Sequence, residues 1–283
     1  KQEIASTTVK KLAMAACVYL VSLPNYAWNQ IEQQATQSKP VSYIAKETVA
    51  IFQANESIEK LIDKLTKQTI ETDFTIELPT PSGQLVSYTM APAQILPDGL
   101  KQKFPTIKSF KGYQTDASEQ LARISLGPNG FYAMYQLENQ VWYLDPSNDG
   151  HYQLYQNQPG SREDEILTDS SSRSARALAR GPLSSQPGIV TYRIAVATTG
   201  EYTQFYKSKI NALNGVVTTI NRVNLLFERD LAVQLQLVEN NDLLIYSNAA
   251  TDPFANDDPD ADIVASQQTI DNIIGSNNYD IGH

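Results

Sequence analysis

The chain has 283 residues, 41% of them hydrophobic and 19% charged, a composition ordinary for globular protein and a length that suits two domains, each with a core of its own. A formal net charge of -9 and a pI near 4.8 leave no positive field to replace phosphate counterions, which excludes a nucleic-acid partner. Cys17 is the only cysteine, so no internal disulfide holds the fold together.

At the N-terminus Lys1, Lys10 and Lys11 form a positive zone, Leu12 to Leu23 an uncharged apolar run, and Pro24-Asn25-Tyr26-Ala27 a break ending in a small residue. This is the three-zone pattern of a secretory signal, with cleavage expected after Ala27 and residues 1–27 removed. The apolar run is too short for a bilayer span of about 20 residues, so no stable membrane anchor is expected. A buried or amphipathic helix is the plainer alternative. Removal of 1–27 would take Cys17 with it.

Residues 28–160 read as an α+β unit. Ile58, Leu61, Ile62 and Leu65 recur at three and four, with Asn55 or Ser57 placed to cap a helix. Past Glu71 the period changes to two. Phe74, Ile76 and Leu78 alternate with polar residues, Pro81-Ser82-Gly83 turns the chain, and Leu85 to Met90 returns. Leu121 to Leu126, Phe131 to Gln136, Val141 to Leu144 and Tyr152 to Tyr155 are further short strands, joined by turns such as Gly127-Pro128-Asn129-Gly130 and Leu137-Glu138-Asn139-Gln140. Connections this short predict an antiparallel β meander. A small β-rich binding module has the same pattern.

Residues 161–188 change character. The run Asp169-Ser170-Ser171-Ser172 is polar, arginines recur at 173, 176 and 180, and Gly181-Pro182 and Pro187-Gly188 punctuate the end. Such a composition cannot bury enough apolar surface to offset its ordering entropy, and predicts a linker open to proteases. Arg173, Arg176 and Arg180 are the candidate processing residues; a plain tether is the alternative.

From residue 189 the two periods take turns. Val190, Tyr192, Ile194 and Val196 alternate as a strand, and Leu213, Val216, Val217, Ile220, Val223 and Phe227 form one stripe of a helix. Val233, Leu235 and Leu237 return to the strand period. Asn240-Asn241-Asp242 then turns into a predicted strand at Leu243 to Tyr246. Ile270, Ile273 and Ile274 mark a second helix closed by Gly275, and a strand begins at Tyr279. The order β-α-β-β-α-β predicts a mostly parallel sheet with helical cover.

The stretches RIAVATTGEYTQFY (193–206), INRVNLLFERDLAVQLQLV (220–238), TDPF (251–254) and YDIGH (279–283) resemble the N-terminal half of the catalytic domain of bacterial secreted reprolysin-like (adamalysin-like) zinc metallopeptidases of the metzincin clan. ELPTPSGQLVSYTM, FPTIKSFKGY and ARISLGPNGFYAMY resemble the propeptide that precedes that domain. The resemblance implies an α+β prosegment followed by the incomplete α/β upper subdomain of a metzincin-like protease. It also implies a secreted zymogen, a protein or peptide substrate, and a zinc-activated water. Beyond the strand begun by YDIGH the family adds an antiparallel edge strand for substrate and the zinc helix HExxHxxGxxH. His151 and His283 are the only histidines, whereas the family's site needs three. The expectation is therefore that zinc belongs to the full-length enzyme, with its motif past His283, and is not bound by this chain. Some metzincin prosegments silence zinc with a cysteine thiolate, a device unavailable once Cys17 is removed.

Asp252, Asp257, Asp258, Asp260 and Asp262 crowd one loop, a density with which a calcium ion can be held. The spacing lacks the EF-hand pattern, and an acidic surface loop is the plainer reading. Glu201 is expected to support a helix N-terminus and His283 to be structural. The leading reading is a secreted zinc metalloendopeptidase precursor; the alternative is a non-catalytic exported binding protein that keeps the fold.

Overall fold

The computed structural model describes residues 28–31, 46–157, 188–255 and 258–283. They form a mixed α+β structure with a curled antiparallel sheet and a smaller parallel one.

The first sheet has nine strands: β1 (Trp28–Ile31), β2 (Lys46–Ala54), β3 (Phe74–Pro79), β4 (Leu85–Pro92), β5 (Lys108–Gln114), β6 (Ala117–Gly127), β7 (Gly130–Leu137), β8 (Gln140–Pro146) and β9 (Tyr152–Asn157). Their order is β1-β2-β9-β8-β7-β6-β5-β4-β3, so the meander from β3 to β9 agrees with the sequence, and β1 and β2 extend it beyond β9. The β7–β8 hairpin shows why short loops serve here. Glu138 and Asn139 both take positive φ, 50° and 65°, the left-handed pair whose twist matches that of the flanking strands. The sheet curls until its edges approach: the Trp28 indole N–H on β1 donates to the Glu77 carbonyl on β3 at 2.9 Å. Inside the curl lies α1 (Glu56–Lys67), capped by Asn55, whose side chain accepts from the Ser57 and Ile58 amides. Ile58 and Leu65 of α1 pack with Phe52, Tyr88, Ile124, Phe131 and Leu144 in one core.

A short helix, α2 (Asp98–Lys103), and strands β1, β2 and β5 were not among the predicted elements. Lys108 to Gln114 has two lysines and a glycine, and reads as a strand only once its neighbours are present.

The second sheet is parallel, in the order β11-β10-β12, with β10 (Val190–Ala195), β11 (Val233–Leu237) and β12 (Ile281–Gly282). Between β10 and β11 run α3 (Gly200–Tyr206) and α4 (Lys209–Leu231); α5 (Pro259–Ile273) precedes β12. Gly275, at φ +87°, ends α5 as expected, its amide donating to Ile270. One expectation is corrected. Leu243 to Tyr246 is not a strand: Asn241–Leu244 is a 3-10 turn, and only a single bridge joins Thr198 to Ile245. The fully buried Asn241 side chain takes the strand's place, accepting from the Val196 amide at 2.8 Å and donating to the Val196 carbonyl at 3.0 Å.

Candidate functional site

Helix α4, 23 residues long, lies between the two sheets and has two unlike buried faces. Leu213, Val216, Val217 and Ile220 form the stripe the sequence shows, and they pack on Ile194, Leu235 and Leu237 of the parallel sheet. The other face carries Asn214, Thr218, Asn221, Leu225 and Glu228, at offsets of 4, 7, 11 and 14, also buried. These spacings keep one side of a helix in line, and here that side meets β6 of the curled sheet.

Strand β6 explains how a polar helix face can be buried. Ala122, Ile124 and Leu126 point into the core of the curled sheet, while the alternate residues Leu121, Arg123 and Ser125 point the other way, and every one of the six is buried. The outer face of β6 is covered by α4. The Asn221 amide donates to the Ile124 carbonyl at 2.9 Å and to the Ser125 hydroxyl at 3.0 Å. Glu228, with its side chain 1% exposed, meets the 2% exposed Arg123 guanidinium at 2.8 Å and the Lys111 ammonium at 3.2 Å. Burial lowers the Arg123 pKa, and the Glu228 charge works against that. Leu121 and Met134 add an apolar contact with Leu225.

A second contact follows the helix along its outer side. Arg222 pairs with Asp145 and sits 5.2 Å from the Tyr143 ring centroid. Burial tends to lower the Arg222 pKa, but Asp145 together with Tyr155 and Tyr143 offsets it and the net shift is upward. Tyr132, beside the pair, is pushed up to about 12 by burial and by the Asp145 charge. Asn129, in the β6–β7 hairpin, donates to the Asn211 carbonyl at 2.7 Å.

The curled-sheet domain also reaches the edge of the parallel sheet. The Leu237 amide donates to the Ile95 carbonyl at 2.9 Å, so the segment before α2 lies alongside β11. Ile95, Leu96, Leu100 and Ile107 join the core of the parallel sheet. The Gly99 amide donates to Glu239 at 3.1 Å, and Lys103 reaches Asp242 at 3.2 Å. A cavity of about 440 Å³ remains between Pro97 and the far ends of β11 and α5, with Arg193 and Asn278 on its wall. β12 stands at the opposite edge of the sheet, where Asp280 holds Arg193 at 2.7 Å and its own pKa falls to about 2.

A parallel sheet threaded β-α-α-β-α-β, with one long helix on its face, occupies the stretch whose words carry the family resemblance. Residues 189–283 match the family model described as Metallo-peptidase family M12B Reprolysin-like. This segment is reprolysin-like. No curated protein matches the chain significantly. The match spans the C-terminal third of the chain and lies outside the curled sheet.

Within the reprolysin-like segment, the acidic loop gives its carboxylates to the backbone. Asp252 accepts from the Gly200 amide at 2.6 Å and from Phe254 at 3.0 Å. Asp258 caps α5 by accepting from Ala261 at 3.1 Å, Asp262 accepts from Ala255 at 2.7 Å, and Asp260 lies in the first turn of α5. Carboxylates at helix starts are favoured by the free amides there. Asp257 lies outside the described residues, as do residues 1–27 and Arg173, Arg176 and Arg180. Glu201 is in the first turn of α3, behind the Thr199 cap. His283 pairs by its backbone with Ala195 and Ala197, and His151 sits in the β8–β9 hairpin beside Asp149. Among the described residues no group of three or more His, Cys, Asp or Glu side chains is arranged to hold a metal. These residues therefore do not fit the zinc that the M12B family usually uses, and no chemical step is assigned to them. No helix among the described residues is long and apolar enough to cross a membrane.

Sequence reasoning did not find Arg123, Glu228, Asn214 or Asn221. A signal was present. The polar side of α4 carries Asn214, Thr218 and Asn221 with a single acidic residue, Glu228, and no lysine, and a lone arginine sits amid the apolar residues of β6.

Proposed function

We propose that the chain is the front part of a secreted zinc metalloendopeptidase precursor, with a signal at 1–27, a prosegment at 28–160 and a processing stretch at 161–188. The reprolysin-like segment 189–283 then supplies the first half of the protease domain, and the zinc motif follows His283. The observation that carries this reading is the family match of residues 189–283, which fold as a parallel sheet with helical cover. The prosegment role is supported by where the curled sheet binds. It covers α4 and the β11 edge of the reprolysin-like segment, the neighbour expected of a prosegment that precedes that segment in the chain. Maturation by cutting at Arg173, Arg176 or Arg180 would separate the prosegment covalently.

The test is to extend the sequence past His283 and express it through any HExxHxxGxxH. The expected result is stoichiometric zinc retained through dialysis and casein cleavage abolished by a chelator. A continuation without the motif, or a zinc-free and inactive product, overturns the reading in favour of a non-catalytic exported binding protein.

A further inference from the structure

The cavity beyond the end of β11 has the make-up of a ligand site. Its volume, about 440 Å³, lies within the range that small-ligand sites occupy. One part of its wall is aliphatic, from Pro97, Val238, Ile273 and Ile274, and Ile273 keeps 38% of its surface exposed. The rest is polar and carries both signs of charge, Arg193 and Glu239.

Arg193 is positioned in advance. Its Nε and one terminal nitrogen donate to the Asp280 carboxylate at 3.1 and 2.7 Å, and the other terminal nitrogen donates to the Asn277 carbonyl at 3.2 Å. A guanidinium has five N–H groups, so each terminal nitrogen keeps one that makes no hydrogen bond among the described residues. Fixing the side chain beforehand spares a ligand that ordering cost. Glu239 gives Oε1 to the Gly99 amide at 3.1 Å, while its Oε2 and the Gln236 side-chain amide take part in no hydrogen bond among the described residues.

The spacing of the two charges sets the length of what fits. Arg193 stands opposite Gln236 in the β10–β11 pair, and Glu239 follows Gln236 by three residues, about 10 Å along an extended strand. A free amino acid is too short to reach both, whereas three peptide residues, at roughly 3.3–3.6 Å each, span that distance. We infer that this cavity is a binding site for short apolar peptides with free ends, about three residues long. The C-terminal carboxylate accepts from Arg193 and the N-terminal ammonium faces Glu239. The Gln236 amide pairs with the peptide backbone, and the aliphatic wall takes a branched apolar side chain. The inference does not depend on the protease reading.

Isothermal titration of the full chain with L-alanyl-L-leucyl-L-alanine is the test. Saturation at one site per chain is expected, with a dissociation constant of roughly 0.1–1 mM, because Arg193 and Glu239 both remain partly exposed to water. The C-terminal amide and the N-acetyl form of the peptide, each lacking one end charge, should bind roughly threefold to tenfold more weakly. Glu239→Gln, whose side-chain oxygen can still accept from Gly99, should weaken the parent peptide by a similar factor and leave the N-acetyl peptide unchanged. Ile273→Trp, at a position exposed enough to accept the larger ring, should fill the cavity and abolish binding while far-UV circular dichroism stays native. The inference is overturned if no saturable heat appears up to roughly 10 mM peptide. It is equally overturned if either blocked peptide binds as tightly as the parent, or if either variant, native by circular dichroism, binds the parent peptide undiminished. None of these outcomes touches the zinc and casein test of the protease reading.

Discussion

Arg123→Met removes the guanidinium that faces Glu228 at 2.8 Å and leaves the carboxylate 1% exposed, with Lys111 as its remaining cation. Breaking a buried pair from one side costs roughly 3–5 kcal/mol, because the survivor stays desolvated. Lys111 is 29% exposed and keeps part of the attraction, which places the loss at the lower end, about 3 kcal/mol. The longer contacts from Arg123 to Asn221 and Asn224, at 3.5 and 3.4 Å, add little. At roughly 2–4 °C per kcal/mol for a protein of this size, Tm should fall by roughly 6–12 °C. Arg123→Met combined with Glu228→Leu removes both charges and should recover to within about 1 kcal/mol of the parent, or exceed it. Thermal and urea unfolding followed by far-UV circular dichroism and tryptophan fluorescence measures both variants. If the single variant unfolds with the parent, or the double variant with the single one, Glu228 is not held as a desolvated charge and the argument fails.

Gly200→Ala would place a Cβ 2.1 Å from the Ala249 amide nitrogen, where backbone cannot yield cheaply; a loss of about 1–3 kcal/mol or more is expected in urea unfolding. Asp280, held near pKa 2 chiefly by its hydrogen bonds from Arg193, lies below the unfolded carboxylate value of about 3.9. Its contribution is complete above about pH 4 and is lost as pH falls through about 2. Asp280→Asn should therefore flatten the acid slope of stability in that window, and an unchanged slope would contradict the assignment. Limited trypsin digestion should cut first at Arg173, Arg176 or Arg180, because that stretch is polar and aperiodic. Earliest cuts within 121–155, read by mass spectrometry, would show the boundary to be misplaced.

Much of the fold was legible because burial on one side leaves a period. The α4 stripe from Leu213 to Phe227, the alternation at Phe74 to Leu78 and the Asn55 cap each appear in the structure where the pattern puts them. The predicted strand at Leu243 to Tyr246 failed for a definite reason. A buried Asn241 side chain can supply the hydrogen bonds of a strand residue, and no hydrophobic pattern records that. Strand β5 was missed because its alternation is interrupted by Lys111 and Gly112, whose places are decided by β4 and β6.

The sequence alone determined the meander, the parallel sheet and the helix that covers it, since those follow from local period and turn chemistry. It also carried the words by which residues 189–283 match a metallopeptidase family. Only the tertiary structure decided that the two domains meet along α4. Arg123 and Ser125 on β6, and Asn214, Thr218, Asn221 and Glu228 on α4, each have the polarity of a solvent-facing surface. Two such surfaces can cover one another when their donors and acceptors match, and matching is a property of the pair in space, which neither stretch of sequence expresses by itself.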